Sequence, residues 1–360
     1  MINFAYQALP WNIIFGVGAL ARLPEELDKL GLSRALVLST PNQAEGGQRI
    51  VELLGPRAAG SFDRAVMHVP IETVEQAMTE AERLAADCTV SLGGGSTTGL
   101  GKALALKLDL PNIAIPTTYA GSEMTSIWGI TENKRKVTGR DPRVVPTLTL
   151  YDPELTLSLP TKITGPSGLN AMAQAVVNVA SGELNPIVSL MALEAVEALA
   201  RSLPRLIADP LDIDARADAL YGACLAGGSL GTGTTSLHHR LCHTFGGTFN
   251  TPHAETHTIL LPHSVAYNAA ATAPGMQRLA KAMGVGNAAL GIFELAKAVG
   301  APTALRDIGV LESELDRAAA IATESPVNNP EPVTEDRVRG LLENAWHGRT
   351  PVPISATTAE

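Results

Sequence analysis

The run Cys88-Thr-Val-Ser-Leu92 passes directly into Gly93-Gly94-Gly95-Ser96-Thr97-Thr98-Gly99, and a helix-like stretch begins at Leu100. An apolar strand that turns on consecutive glycines into a helix belongs to parallel α/β architecture, and no other stretch of the chain constrains the fold as much. Glycines tolerate positive φ and let a backbone approach an anion closely. The helix start that follows aims free N–H groups at whatever lies above it. Gly94 and Gly95, with the hydroxyls of Ser96 and Thr97, are therefore a candidate phosphate cradle. The same turn also serves as a tight connection with no ligand, and the sequence leaves both readings open.

The surrounding pattern agrees with an α/β unit. Short apolar runs at Asn12–Phe15, Ala35–Ser39, Arg64–His68, Cys88–Leu92 and Asn112–Pro116 read as strands, and Glu72–Ala86 carries a helical Ala/Leu stripe. From about Pro160 the character changes to long Ala/Leu-rich runs at Gly168–Ala180, Pro186–Ile207 and Asp214–Gly231, the signature of a helical domain. The expected division is an α/β domain over 1–155 and an all-α domain over 156–360, hinged at Asp152–Pro160. The prolines of Ser325–Pro332 mark a loop before a last helix. Residues from Thr350 onward read as a frayed tail, and no internal repeat is evident.

Composition excludes several classes. The net charge is −9 with no block of basic residues, which argues against nucleic acid or an anionic membrane as partner. No run approaches the ~20 apolar residues of a membrane span, and the opening Met-Ile-Asn-Phe-Ala-Tyr-Gln lacks a secretory pattern. A cytoplasmic protein is expected. Three scattered cysteines, Cys88, Cys224 and Cys242, form no disulfide framework or paired metal motif.

A second small-residue loop, Pro116-Thr117-Thr118-Tyr119-Ala-Gly121-Ser122, follows the next strand on the same carboxyl edge, where ligands of open α/β sheets bind. Thr117, Thr118 and Ser122 are candidate cofactor contacts there; strand-end capping is their structural alternative. The second strand ends in Ser39 and Thr40 rather than a carboxylate. A carboxylate there would hold a ribose hydroxyl and repel a 2′-phosphate, so its absence predicts weak discrimination between NADH and NADPH.

In the second half, Asn170 and Gln174 stand four residues apart, as do His239 and His243, so each pair shares a helix face. His238, His239, His243 and His253 crowd one short segment beside glycine-rich turns. Lone helical histidines are usually structural, but four so close point to a site. His238 is expected to face elsewhere, with His257 at its margin. Trp128 and Trp346 read as core.

These motifs, with Tyr6–Pro10, Ser39–Pro41, Ile127–Gly129, Thr138–Pro142, Tyr151–Pro153, Gly168–Ala171 and Glu343–Trp346, resemble the iron-containing (group III) alcohol dehydrogenases, and within them the maleylacetate reductases. The resemblance spans nearly the whole chain. It implies the dehydroquinate synthase-like fold of this family: an N-terminal dinucleotide-binding α/β domain and an all-α C-terminal domain, commonly dimeric, with the active site in the cleft between them. Metal-dependent relatives carry Asp and His at the positions of Asn170 and Gln174, and further His ligands at those of His239 and His253. His243 matches a histidine near the nicotinamide. Val177 stands where a carboxylate is common.

The resemblance implies NADH- or NADPH-dependent reduction of the C=C bond of maleylacetate to 3-oxoadipate in aromatic-compound degradation, with no metal expected. Hydride addition β to the ketone gives a delocalised enolate that a hydrogen-bond donor can support, with His243 and His253 as candidate catalytic groups. Asn170, Gln174, His239 and Tyr119 are candidate substrate contacts. An oxo-dicarboxylate also calls for cations, and Lys134, Arg135, Lys136, Arg140 and Arg143 cluster in one segment, Lys136 being the candidate contact. Their alternative is a solvated basic loop. Two further functions stay open: the same scaffold acting on another unsaturated oxo acid or in a non-redox step, and a non-catalytic nucleotide-binding paralogue.

Overall fold

The computed structural model describes residues 3–133, 135–180, 185–233 and 235–353, with only the backbone described at Arg135. The chain divides into two compact units, one spanning Gln7–Leu159 and the other comprising the chain through Tyr6 together with Pro160 onward.

The first unit is built in chain order from β1 (Ile13–Phe15), α1 (Leu23–Lys29), β2 (Ala35–Leu38), α2 (Ala44–Leu54), β3 (Ala58–Phe62), α3 (Ile71–Arg83), β4 (Cys88–Gly93), α4 (Gly95–Leu108), β5 (Asn112–Pro116), the hairpin β6 (Ile127–Glu132) and β7 (Arg135–Arg140), and β8 (Leu148–Tyr151). Six strands form one parallel sheet in the order β1-β8-β5-β4-β2-β3. The chain runs outward from β2 to β3, then returns to β4 and proceeds the other way. The reversal falls between β2 and β4, the place where doubly wound sheets open a crevice above their carboxyl ends.

Residues of β2, β4 and β5 are buried throughout, as strands covered on both faces must be. Alternation divides β2: Ala35 and Val37 pack with Leu23, Leu27, Ile50 and Leu54 on one face. Leu36 and Leu38 pack with Val74, Ala77, Leu100 and Leu104 on the other. Helix α4 lies close to the sheet, because a Cβ on Gly101 would stand 2.6 Å from Asn112 Oδ1. That oxygen already accepts from Thr89 Oγ1 at 3.0 Å and Ser91 Oγ at 2.8 Å.

Three expectations need correction. Arg64–His68 is not a strand; the sheet takes the Ala-Ala-Gly-Ser-Phe run of β3 at its edge, and His68 and Val69 have φ of 67° and 50°, incompatible with extended pairing. Helix α4 begins at Gly95, not Leu100, so the glycine turn supplies the first helical turn itself. The basic segment is not a loop but strand β7, paired antiparallel with β6. Lys134 lies outside the described residues, as does the tail from 354.

The second unit is helical: α5 (Thr161–Ala180), α6 (Pro186–Ala208), α7 (Ile213–Thr232), α8 (Leu237–Thr248), α9 (His253–Asn268), α10 (Ala273–Ala282), α11 (Ala288–Ala298), α12 (Leu315–Thr323) and α13 (Glu335–His347). Helix α5 is buried from Thr164 to its end and packs against α6, α7 and α9. Gly168 permits the approach of α6, since a Cβ there would meet Leu203 Cδ1 at 2.8 Å. Asn185, Asp212 and Asn287 cap α6, α7 and α11 with side-chain oxygens. Beneath α8 and α9, Leu237, Leu241, Phe245, Ile259 and Leu260 pack with Leu315, Leu341 and Leu342 of α12 and α13 and their approaches. Among the described residues no helix is long and apolar enough to cross a membrane.

Candidate active site

The carboxyl edge of the parallel sheet gathers the residues nominated for cofactor contact. Gly93 sits at φ 145°, and a Cβ there would lie 2.6 Å from Gln43 Oε1, so only glycine fits. A Cβ on Gly94 would fall 2.7 Å from Thr118 Oγ1, whereas the nearest atom to one on Gly95 is 4.0 Å away. Gly94 caps α4 and has no side chain to bond the helix start, so among the described residues the first N–H groups of the helix are left for an external acceptor. Half-buried Ser96 flanks that start; Thr97 is buried and donates to Gly94 O at 3.0 Å. The glycine clearances, free N–H groups and helix dipole fit a pyrophosphate.

Ser39 is fixed at the end of β2: its N–H donates to Phe62 O at 3.0 Å and its carbonyl accepts from Ala65 N at 3.1 Å. It is buried, while Thr40 beside it is half-buried. Gln43, which the sequence did not single out, donates from Nε2 to Thr117 Oγ1 at 2.7 Å and so joins the loop after β2 to the end of β5. Its one sequence signal is an amide just past the Ser-Thr-Pro run. Ser122 Oγ is buried and has no hydrogen-bond partner among the described residues.

Lys102 was likewise not nominated. Fully buried on α4, it donates from Nζ to Ser122 O (2.6 Å), Thr125 O (2.7 Å), Thr125 Oγ1 (3.0 Å) and Ile127 O (2.9 Å). Burial pulls its pKa down to about 7, while nearby Glu123 pulls the other way. The lysine ties the loop after β5 to the helix that starts at the glycine turn. Glu123 is itself buried, its carboxyl pushed up by desolvation, and accepts from Tyr151 OH at 3.0 Å.

Tyr119, nominated as a phenol donor, has 0% exposure, so its ring belongs to the core of this unit. Lys136 is exposed on β7 with its stem across Gly129. Arg140 is exposed, and Arg143 is engaged by Asp141 at 2.8 Å. Trp128 packs, half-buried, on the core cluster of α3 and α4.

In the helical unit, Asn170 and Gln174 are buried on α5, with Val177 one turn further on. Asn170 Oδ1 has no hydrogen-bond partner among the described residues. His239 is buried on α8, and neither ring nitrogen has a partner there. Buried polar atoms are normally satisfied, and leaving one unpaired costs ~1–3 kcal/mol. Asn170 Oδ1 and the His239 ring are thus open to hydrogen bonds from a bound group. His243 is exposed one turn along α8, and His253 is half-buried at the first position of α9.

The start of α9 is held by local bonds. Asn250 takes φ 54°, Thr251 N donates to Phe245 O at 3.4 Å, and Thr256 Oγ1 donates to Thr251 Oγ1 at 2.8 Å. That turn brings the histidines of α8 and α9 together. His257, expected at the margin, lies in their midst: its ring is 4.5 Å from that of His253, 4.8 Å from His238 and 5.5 Å from His239, centroid to centroid. His238, expected to face elsewhere, is bonded to it, Nε2 to Nδ1 at 2.9 Å. Burial and the neighbouring histidines hold His238 and His257 well below the ordinary imidazole pKa, and burial brings His239 down to about 3. All three are neutral near pH 7. Cys242 Sγ lies 3.7 Å from His238 Nε2, its thiol pushed up by burial. His238, Cys242 and His257 have ligand atoms within 4.8 Å of one another, close enough for an ion, but the two imidazoles already bond each other. Trp346 Nε1 donates to Val310 O at 2.9 Å, a structural role.

Comparison with known proteins adds a second line of observation. The pattern described as iron-containing alcohol dehydrogenase matches residues 10–153, and that of the C-terminal part of the Fe-containing alcohol dehydrogenase family matches residues 164–346. The chain is 52% identical to maleylacetate reductase of Sphingobium indicum over 98% of this chain and 99% of that protein. Against maleylacetate reductase of Burkholderia cepacia the identity is 51%, covering 98% and 100%. Among solved structures it is similar to maleylacetate reductase from Agrobacterium tumefaciens, with TM-score 0.94, 48% identity, and 98% and 100% coverage.

Proposed function

The chain belongs to the iron-containing alcohol dehydrogenase family and resembles its maleylacetate reductases from end to end, and from that premise we propose that it reduces the C=C bond of maleylacetate to 3-oxoadipate without a metal ion. The parallel-sheet unit holds the cofactor, a nicotinamide dinucleotide, with the N–H groups at the start of α4 on the pyrophosphate and Thr117, Thr118 and Ser122 around it. With Ser39 and Thr40 in place of a carboxylate, both NADH and NADPH are accepted.

When bound, the reduced nicotinamide supplies a hydride. Its arrival at the carbon β to the ketone leaves an enolate whose charge spreads to the ketone oxygen, and a solvent-derived proton then completes the neighbouring carbon. The imidazoles of His243 and His253, the two most open in the histidine group, hold and deliver that proton. The buried carboxamide of Asn170 and the neutral ring of His239 orient the substrate by hydrogen bonds. A preorganised donor at a developing oxyanion is typically worth ~3 kcal/mol.

The observation that carries the metal-free reading is the chemistry of the donor set. The positions that the resemblance matches to metal ligands hold two carboxamides, Asn170 and Gln174, and two imidazoles, His239 and His253. Non-haem divalent iron is characteristically held by two imidazoles together with an anionic carboxylate, and zinc sites without an anion use three imidazoles. This set has two imidazoles, no anion and no third imidazole, so it fits neither pattern. An enolate needs less Lewis-acid help than a localised alkoxide, which makes the loss tolerable. The same reading takes the enzyme as a cytoplasmic homodimer, its assembly measurable by light scattering.

The test is cofactor oxidation by chelator-treated protein in the presence of maleylacetate, with metal content measured on the same sample. Full turnover at substoichiometric metal is expected. Protein that stays inert until iron or zinc is added overturns the metal-free mechanism, and protein inert even then overturns the reductase assignment.

A further inference from the structure

We propose that His257, gripped by His238, is a positioning residue that sets the rings of His253 and His239 for the reduction. The proposal rests on the function argued above, in which those two imidazoles meet the substrate.

Three observations converge on this pair. His238 and His257 are among the most deeply buried histidines of the unit, at 1% and 2% exposure. Their bond, at 2.9 Å, joins α8 to α9, the two helices that carry every histidine assigned a role at the substrate. His238 immediately precedes His239 on α8, and His257 stands one turn after His253 on the same face of α9. One hydrogen bond thus fixes the relative placement of the two helix segments next to the reacting groups.

The rings transmit that placement. His257 meets His253 edge to face at 4.5 Å and 63°, and His239 at 5.5 Å and 74°. His238 meets His239 at 5.4 Å and 82°. A ring pinned at Nδ1 cannot turn about its Cβ–Cγ bond, so its edges stay against both neighbours. The bond also couples the two tautomers: when His238 Nε2 donates, His257 carries its proton on Nε2, and when His257 Nδ1 donates, His238 carries its proton on Nδ1. Metal-ligating histidines are commonly held by an outer hydrogen bond of this kind. Here the hydrogen bond joins the two histidines behind the ligand positions, and His253 and His239 meet that pair through ring contacts.

The pair is separable from mere core packing by choosing replacements that keep or lose the bond. In His257→Asn a terminal amide atom stands where Nδ1 stood, in His238→Gln one stands where Nε2 stood, and either amide can donate or accept. His257→Leu and His238→Leu fill the space and cannot bond. We expect both leucine variants to remain folded and bind NADH as the parent does, with kcat for maleylacetate lowered about 10- to 100-fold, the range for an ångström-scale misplacement of reacting groups. His257→Asn and His238→Gln should recover most of that loss. In 15N NMR of the imidazoles, the His253 and His239 resonances should move in the leucine variants and return in the polar ones.

A folded His257→Leu enzyme with parental kcat and unmoved His253 and His239 resonances overturns the proposal. So does a folded His257→Asn enzyme as impaired as His257→Leu. Should either leucine variant fail to fold, the polar variants decide: a folded polar variant with displaced His253 resonances counts against the pair. If the parent itself does not turn over maleylacetate, the assigned reaction fails, while the resonances still report whether His257 positions its neighbours.

Discussion

Gln43 and Thr117 share a 2.7 Å hydrogen bond that crosses the open end of β4, linking the loop after β2 to the end of β5 on either side of the glycine turn. Gln43 Oε1 also bounds the space that only a glycine can leave at position 93. The bond therefore shapes the dinucleotide's seat without lying in the turn itself. Gln43→Ala should raise KM for NADH about 3- to 10-fold, the equivalent of a ~1 kcal/mol hydrogen bond, and leave kcat nearly unchanged. Initial rates at varied cofactor check it; an unchanged KM would show that Thr117 holds its place alone.

Gly94→Ala is a sharper perturbation, because its Cβ would stand 2.7 Å from Thr118 Oγ1 and 3.0 Å from Thr118 Cγ2. Thr118 must swing aside or the turn must lift from the phosphates. Cofactor affinity measured by calorimetry should fall at least about tenfold, ~1.4 kcal/mol, with the thermal midpoint little altered. Parental affinity would mean that the pyrophosphate does not use this turn.

Lys102 holds the loop after β5 through four acceptors on Ser122, Thr125 and Ile127. Lys102→Met removes every one of these donors and leaves the acceptors buried, so stability should drop by several kcal/mol. The parent binds fewer protons here than its unfolded chain between pH 7 and 10.5, so this group makes stability rise with pH across that window. Denaturant midpoints should climb less steeply with pH in Lys102→Met than in the parent.

The buried histidines give the opposite edge of the pH range its character. Burial holds His238, His239, His257 and His263 below the ordinary value of 6.5, with His239 at about 3 and His263 at about 4. The unfolded chain takes up these protons first, so stability is lost as pH falls below 6.5, by up to ~1.4 kcal/mol per group and pH unit. Thermal midpoints should decline between pH 6.5 and 4, and His263→Gln should make that decline shallower. A flat midpoint over the window would mean that these rings accept protons in place.

What the sequence made legible follows from what each contact needs. Strands β2, β4 and β5 announce themselves because both faces are covered, leaving unbroken apolar runs. Edge strand β3, Ala-Ala-Gly-Ser-Phe, carries no such signal; its pairing with β2 makes it a strand. The hairpin strand Arg135–Arg140 is polar on most positions and hides among solvated loops. Spacing along one helix pairs Asn170 with Gln174 and His239 with His243. It cannot pair His238 with His257, nor Gln43 with Thr117, because those contacts join different elements.

The donor set itself can be rewritten as a test of why iron does not fit. Asn170→Asp alone puts a carboxylate into a buried site where Oδ1 has no partner among the described residues, so its charge is uncompensated there and the variant should be destabilised by a few kcal/mol. A divalent ion offsets that cost if Gln174→His completes the set with His239 and His253. The double variant should retain about one iron or zinc per chain after dialysis, gain thermal stability when metal is added, and lose it to a chelator, while the parent responds to neither. About one metal ion per chain in the parent, as in the double variant, would mean that the amides already bind a metal ion, and the metal-free mechanism would fall with them.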